Sequence, residues 1–195
     1  MTTKRLGTMI LAVLMLMPLG AATAAQPNDM EKQDEKAKLA SQRAEIDAMA
    51  RESLERLKKE DPEVKGLQEK SYGYAVFDTT KVALGVSGGG GAGVAVSKKD
   101  RTYMRMATAG VGLAVGAQNY QLILFFKDKA AFDRFVAEGW NAEASADAGA
   151  GDSGAGTSGT TARGISIFKI SDVGVMVNAD ISGTRFWKAD ELNQS

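Results

Sequence analysis

The sequence predicts an α+β fold: a glycine-rich, largely antiparallel β-sheet packed with N-terminal helices and one short internal helix. Three observations carry this. Residues 29–60 contain neither Gly nor Pro and repeat apolar residues at helical spacing. From Tyr72 onward the apolar period changes to two, with Gly, Ala and Ser at the alternate positions. One stretch, Asp128 to Gly139, returns to helical spacing between strands.

Taken in order, the chain of 195 residues opens with Lys4 and Arg5, an apolar run from Met9 to Met17, and the small residues Ala21 to Ala25. The run is shorter than the ~20 residues of a bilayer span. The pattern is that of a secretory signal peptide, residues 1–24, which places the mature protein in the periplasm. A charged segment, 25–38, then precedes a single domain, 39–195. In the first helix Leu39, Ile46, Ala50, Leu54 and Leu57 form one stripe. Asp61 caps a second, short helix with Pro62 at its first position, and Gly66 limits its length. The stripe is expected to cover the bare sheet face, which must be buried by something; lying on a membrane as an amphipathic helix is the alternative.

In the strands that follow, Val82, Leu84 and Val86 alternate with Ala83, Gly85 and Ser87, and Val94 and Val96 with Gly93 and Ala95. Val111, Leu113 and Val115 alternate with Gly110, Gly112, Ala114 and Gly116. Large side chains occupy one face and almost nothing the other, so the bare face invites close packing at Gly85, Gly93, Gly110, Gly112 and Gly116. A helix or second sheet of the same domain would fill it; a ligand or lipid chain would use the same geometry. The continuous run Leu122–Phe126 suits a strand buried on both sides. Asp128 caps a helix with Phe132, Phe135 and Val136 on one face, ended by Gly139. Residues 142–163 are small and polar, suiting a loop or more small-faced strand, and Val175 to Ile181 alternate as a half-exposed strand.

Composition narrows the chemistry. Lys and Arg number 24, Asp and Glu 24, so there is no basic surplus for nucleic acid. Histidine and cysteine are absent, which removes the usual zinc sites and the Ser-His-Asp and Cys-His systems. No metal or cofactor is expected, and the chain is expected not to be an enzyme. Gly88, Gly90 and Gly93 satisfy G-x-G-x-x-G, but "VAVSKKD" follows where a dinucleotide site needs a helix. Nucleotide binding is therefore not expected, and the run reads as a flexible turn between two strands. Gly151-Asp152-Ser153-Gly154 imitates a serine-protease motif, yet Ser153 has no histidine to act as its base. Lys98, Lys99, Arg101 and Arg105 are candidates for an anionic lipid headgroup, and Tyr103, Phe186, Trp187 and Lys188 for membrane contact. A solvated turn and a tryptophan covering the core would use the same residues.

The blocks "DPEVKGLQEKSYGYAVFDTTKVALGVSGGGGAGVAV", "YMRMATAGVGLAVGAQNYQLILFFKDKAAFDRFVAEGW" and "GISIFKISDVGVMVNADISGTRF" resemble successive parts of the SYLF domain. The resemblance runs from Leu39 to Lys188. It implies a non-enzymatic lipid-binding module. Eukaryotic members recognise phosphoinositides beside SH3 or FYVE modules; exported bacterial members stand alone against envelope phospholipid. The competing expectation is a structural envelope protein or adaptor that binds another protein, with lipid incidental.

Overall fold

The computed structural model describes residues 27–141, 164–172, 174–177 and 183–194. The segment 1–24 expected to be a signal peptide, the segment 142–163 with Ser153, and the far end of the strand expected through Ile181 lie outside the described residues. Helices α1 (Pro27–Glu60) and α2 (Glu63–Lys70) lead into two long strands, β1 (Gly73–Ser97) and β2 (Arg101–Phe126). Helix α3 (Lys129–Glu138) and strands β3 (Trp140–Asn141), β4 (Ile165–Ser171), β5 (Gly174–Val177) and β6 (Thr184–Lys188) follow, and α4 (Asp190–Asn193) closes the described chain. Every strand pairing is antiparallel. The α+β expectation holds.

The helix boundaries follow from local chemistry. Asp61 Oδ1 accepts a hydrogen bond from the Glu63 amide at 3.1 Å, so Asp61 satisfies one orphan donor of α2. Asp128 does the same for α3, accepting from Ala131 N at 2.9 Å. Helix α2 continues through Gly66 to Lys70, because Gly66 faces open space and nothing there forces a turn.

The glycine run is not a turn. It is the second half of β1, a strand of 25 residues that pairs with β2 from Gly73↔Phe126 to Val96↔Arg101. The turn lies at Lys98–Asp100, where Ser97 Oγ accepts from the amides of Lys99 and Asp100. Strand β1 is also doubled over. A Cβ on Gly89 would lie 2.5 Å from Thr80 O, one on Gly91 2.1 Å from Asp78 O, one on Gly93 2.2 Å from Val76 O, and one on Gly73 2.6 Å from Val96 O. Each step of two down one arm is matched by a step of two up the other, and every pair is centred between Leu84 and Gly85. There the ladder shifts register: Leu84 pairs with Val115 and Val86 with Val111, so Gly112, Leu113 and Ala114 stand opposite Gly85 alone. Extra residues on one strand bend a ribbon in this way, and Gly116 takes a positive φ of 137° beside them. The two-stranded ribbon is thus folded across a crease at residues 82–88 and 110–117.

The bare face therefore meets the other arm of its own strand. Of the positions expected to be closely packed, Gly93 lies against Val76 and Phe77 of the other arm, whereas a Cβ on Gly110, which is exposed, would meet only Ser87 Oγ of its own ladder partner, at 3.1 Å. Gly116 is a correction: nothing stands within 4 Å of a Cβ there, and its glycine serves the backbone conformation instead. The surroundings of Gly85 and Gly112 lie outside the described residues.

Folding the ribbon creates an inner and an outer face. The inner face holds Ala75, Phe77, Ala95, Met104, Met106, Leu122, Leu124 and Phe126, joined by Ile165, Ile167 and Phe186 and by Phe132 and Phe135 of α3. Its rings pack edge-on or tilted, with Phe126–Phe132 centroids at 5.4 Å and Phe77–Phe186 at 4.9 Å. The outer face, with Val76, Val94, Tyr103, Ile123, Phe125, Phe168 and Ile170, is covered by Ile46, Ala50, Leu54 and Leu57 of α1, Val64 of α2 and Leu192 of α4. The helical stripe does cover a sheet, as expected, but it covers the apolar outer face rather than the bare one. Because Val76 and Val94 belong to opposite arms of β1, α1 ties the folded ribbon shut. Strand β2 carries β1 along one edge; along the other it pairs with β6 at Met104–Thr108 and with β4 at Tyr120–Phe126.

Helix α4 is docked by hydrogen bonds. Arg43 of α1 donates to Leu192 O at 2.8 Å, and Asn193 both accepts from Tyr103 N and donates to Tyr103 O. Glu191 pairs with Arg105 at 2.6 Å. The hydrogen bond from Arg105, with one from its own backbone, holds the Glu191 carboxyl below its ordinary 4.5, burial opposing.

Two outcomes follow. Gly91→Ala must displace the Asp78 carbonyl and destabilise the protein by about 1–3 kcal/mol or more, whereas Gly88→Ala, with nothing within 4 Å, leaves the urea midpoint nearly unchanged. Equal midpoints for the two variants would contradict the doubled strand. A carboxyl with a lowered folded value stabilises above its unfolded value and loses that contribution as pH falls through the folded one. Stability therefore declines below about pH 4.5, and the gap between wild type and Glu191→Gln in urea midpoint, present at pH 7, closes at pH 3.

Candidate functional site

The outer face of the ribbon is apolar where α1 covers it, turns polar at the hydrogen-bonded pairs Asp78–Gln121 and Thr80–Asn119, and is apolar again beyond them. At the crease the same face continues as Val82, Leu84 and Val86, with 49%, 74% and 67% of their surfaces exposed. Period-two alternation puts the three side chains in one row. Exposed valines or leucines scattered singly need no explanation, whereas a row of three on one face does. The backbone beneath them is satisfied: Val82 pairs with Ala117, Leu84 with Val115 and Val86 with Val111 in the ladder.

Charge around the crease is one-sided. No Asp or Glu occurs from Thr79 to Lys99 or from Arg101 to Lys127, while Lys81, Lys98, Lys99, Arg101, Arg105 and Lys127 do. Lys81 adjoins the apolar row. Among the described residues no group of three or more potential metal ligands converges, and no helix is long and apolar enough to cross a membrane.

The residues singled out from sequence fall elsewhere. Lys98 and Lys99 are exposed on the hairpin turn, at the opposite end of the ribbon from the crease. Thirteen residues from Leu84 to Ser97 place the two roughly 40 Å apart along the strand. Arg101 is engaged: it donates to Asp47 Oδ2 at 2.5 Å, and the Tyr103 hydroxyl donates to the same oxygen at 3.1 Å. Burial, then the Asp47 carboxylate, pushes the Tyr103 hydroxyl above its ordinary 10.0. Arg101 and Tyr103 thus clasp α1 to the ribbon, and Arg105 holds α4 through Glu191. Phe186 is in the inner core at 1% exposure, because it alternates with the outward Arg185 and Trp187. Tyr103 and Phe186 are therefore corrected from membrane contacts to core. Trp187 is 41% exposed and Lys188 is exposed, both on β6.

The glycine fingerprint is likewise resolved by its setting. Gly88, Gly90 and Gly93 lie within β1, which continues as strand to Ser97, and no helix opens after them to receive a phosphate.

Sequence reasoning identified the Val82–Leu84–Val86 alternation but assigned the interest to its bare side. The missing signal was reach. The stripe from Leu39 to Leu57 covers roughly 28 Å of helix, short of a 25-residue strand from end to end, so part of that strand's outer face lies beyond it.

Residues 107–195 match the Ysc84 family, described as "Las17-binding protein actin regulator". A relative from Aeromonas veronii, "Beta cell expansion factor A", is 39% identical over 155 residues, which is 78% of this chain and 59% of that protein's length. The chain thus spans less than two thirds of that relative. The matched region runs from the middle of β2 through α4 and contains the crease's second strand, the inner-core helix α3 and the strands that flank β2. Residues 107–195 are thus similar to the Ysc84 family, the SYLF-domain family that the sequence resembles.

Proposed function

We propose that this protein binds phospholipid peripherally in the cell envelope, without turnover, and that it does so through the crease. The observation that carries this reading is the exposed row Val82, Leu84 and Val86 on a crease, residues 82–88 and 110–117, that bears no carboxylate. A lipid interior accepts only backbone whose hydrogen bonds are made internally, and the β1–β2 ladder supplies them at all three positions. Fully burying such a side chain contributes about 1.5–3 kcal/mol. At the observed exposures the row sums to roughly 4 kcal/mol, a dissociation constant near millimolar. That is reversible, peripheral association, and lysines near an anionic surface add about 1 kcal/mol each.

The absence of His and Cys supports binding without turnover. Export is supported by Lys4, Arg5, the Met9–Met17 run and the small residues at 21–25. A periplasmic fraction is expected to yield a mature chain beginning at Ala25, read by N-terminal mass spectrometry; a chain beginning at Met1 in the cytoplasmic fraction would remove the envelope from the proposal.

The crease is tested by flotation with vesicles of phosphatidylcholine and phosphatidylglycerol. Wild type floats at low salt. Leu84→Asp reduces the bound fraction about tenfold or more while the thermal midpoint is unchanged, since that side chain is exposed. A variant that floats like wild type would remove the crease as the lipid contact. Failure of wild type to float, with a cellular protein retained on the crease instead, would favour an adaptor.

A further inference from the structure

The inner face of the folded ribbon changes from apolar to polar toward the crease on three adjacent strands, earlier on β4 than on β1. Along β1 it reads Ala75, Phe77, Thr79, Lys81; along β2, Phe126, Leu124, Leu122, Tyr120, Gln118; along β4, Ile165, Ile167, Lys169. By register Thr79 pairs with Tyr120, Lys81 with Gln118 and Lys169 with Leu122, so Lys169 stands four residues nearer the core along β2 than Lys81, with Tyr120 between the two levels. Core gives way to hydroxyl and then to cation just beneath the crease.

Lys169 Nζ lies 4.2 Å from the centre of the Tyr120 ring. Burial, and then the nearby Lys81 ammonium, hold Lys169 below its ordinary 10.5. Among the described residues neither lysine forms an ion pair with a carboxylate. The nearby Asp78 alternates onto the opposite face, where it accepts from Gln121. Two like charges on one face, one of them partly desolvated over Tyr120, thus stand without a carboxylate partner among the described residues, an arrangement that an anion relieves.

We propose that Lys81 and Lys169, set around Tyr120 beneath the crease, form a phosphate-binding site. Lys81 lies three residues from Leu84, about 10 Å along the strand. That offset matches the ~5–10 Å depth to which interfacial apolar faces enter the headgroup boundary. Lys81 lies on the inner face and the row Val82, Leu84 and Val86 on the outer. The phosphate is accordingly that of a headgroup beside the inner face where the crease enters a lipid surface, not that of a lipid whose chains lie along the row. This last assignment rests on the reading of the crease given above; the phosphate site itself does not.

The test uses the mature chain and three probes: inorganic phosphate, phosphatidylcholine vesicles, and vesicles containing phosphatidylglycerol. Lysine-ammonium NMR follows the titration of Lys169, identified by its loss in Lys169→Gln. Phosphate is expected to shift the Lys169 titration upward. The preference for phosphatidylglycerol vesicles is expected to fall about tenfold or more in K81Q/K169Q at low salt and to be retained in K81R/K169R, which keeps both charges and reports on folding. A phosphate response without vesicle association would sustain the phosphate site and overturn the crease as lipid contact. Vesicle association with the same lipid preference in K81Q/K169Q as in wild type would overturn the site and leave the crease standing. No Lys169 response to phosphate or to anionic vesicles would overturn it as well.

Discussion

The structure depends on backbone lying against backbone within one strand. Gly89, Gly91 and Gly93 present no side chain to Thr80, Asp78 and Val76, so the two arms of β1 approach until a single methyl would overlap a carbonyl oxygen. Glycine in a strand interior ordinarily weakens it. Here the loss is offset because the approach lets one ribbon form both walls around the inner core. That core is then closed by Phe132 and Phe135 of α3 and by Phe186 of β6.

The same fold-over explains why the protein exposes an apolar row. A ribbon folded across its middle has two arms that a helix can span and a crease that it cannot. Helix α1 grips Val76 on one arm and Val94 on the other, and the Asp47–Arg101–Tyr103 contact fixes it there. Val82, Leu84 and Val86 share the apolar face but lie beyond that grip. Their exposure is a geometric consequence of the bend, and the crease they line carries no charged residue of its own.

The division of labour among the basic residues follows the same geometry. Arg101 and Arg105, which a linear reading groups with Lys98 and Lys99, are spent on Asp47 and Glu191 and hold helices in place. Lys81 and Lys169 are 88 positions apart in sequence, and only the pairing of β1 and β4 on opposite sides of β2 brings them over one tyrosine. Neither stands in a basic run, so neither attracts notice before the sheet is assembled.

Much of the local structure was legible in the residues themselves. Spacing alone identifies α1, the cap at Asp128 and the doubly buried run Leu122–Phe126, because helix and strand periods are properties of the backbone. Alternation also marks which strand face is large and which is bare. The identity of the bare face's neighbour was not legible, since a glycine stripe accepts a helix, a sheet or a ligand equally well. Nor was the status of Tyr103, Phe186 and Arg101, whose side chains read as exposed until the helices and β6 are docked. Sequence by itself determined the elements, their faces and the scarcity of chemistry for catalysis. Only the tertiary structure decided that β1 folds on itself and leaves its crease uncovered, because that outcome depends on contacts between residues that no local period relates.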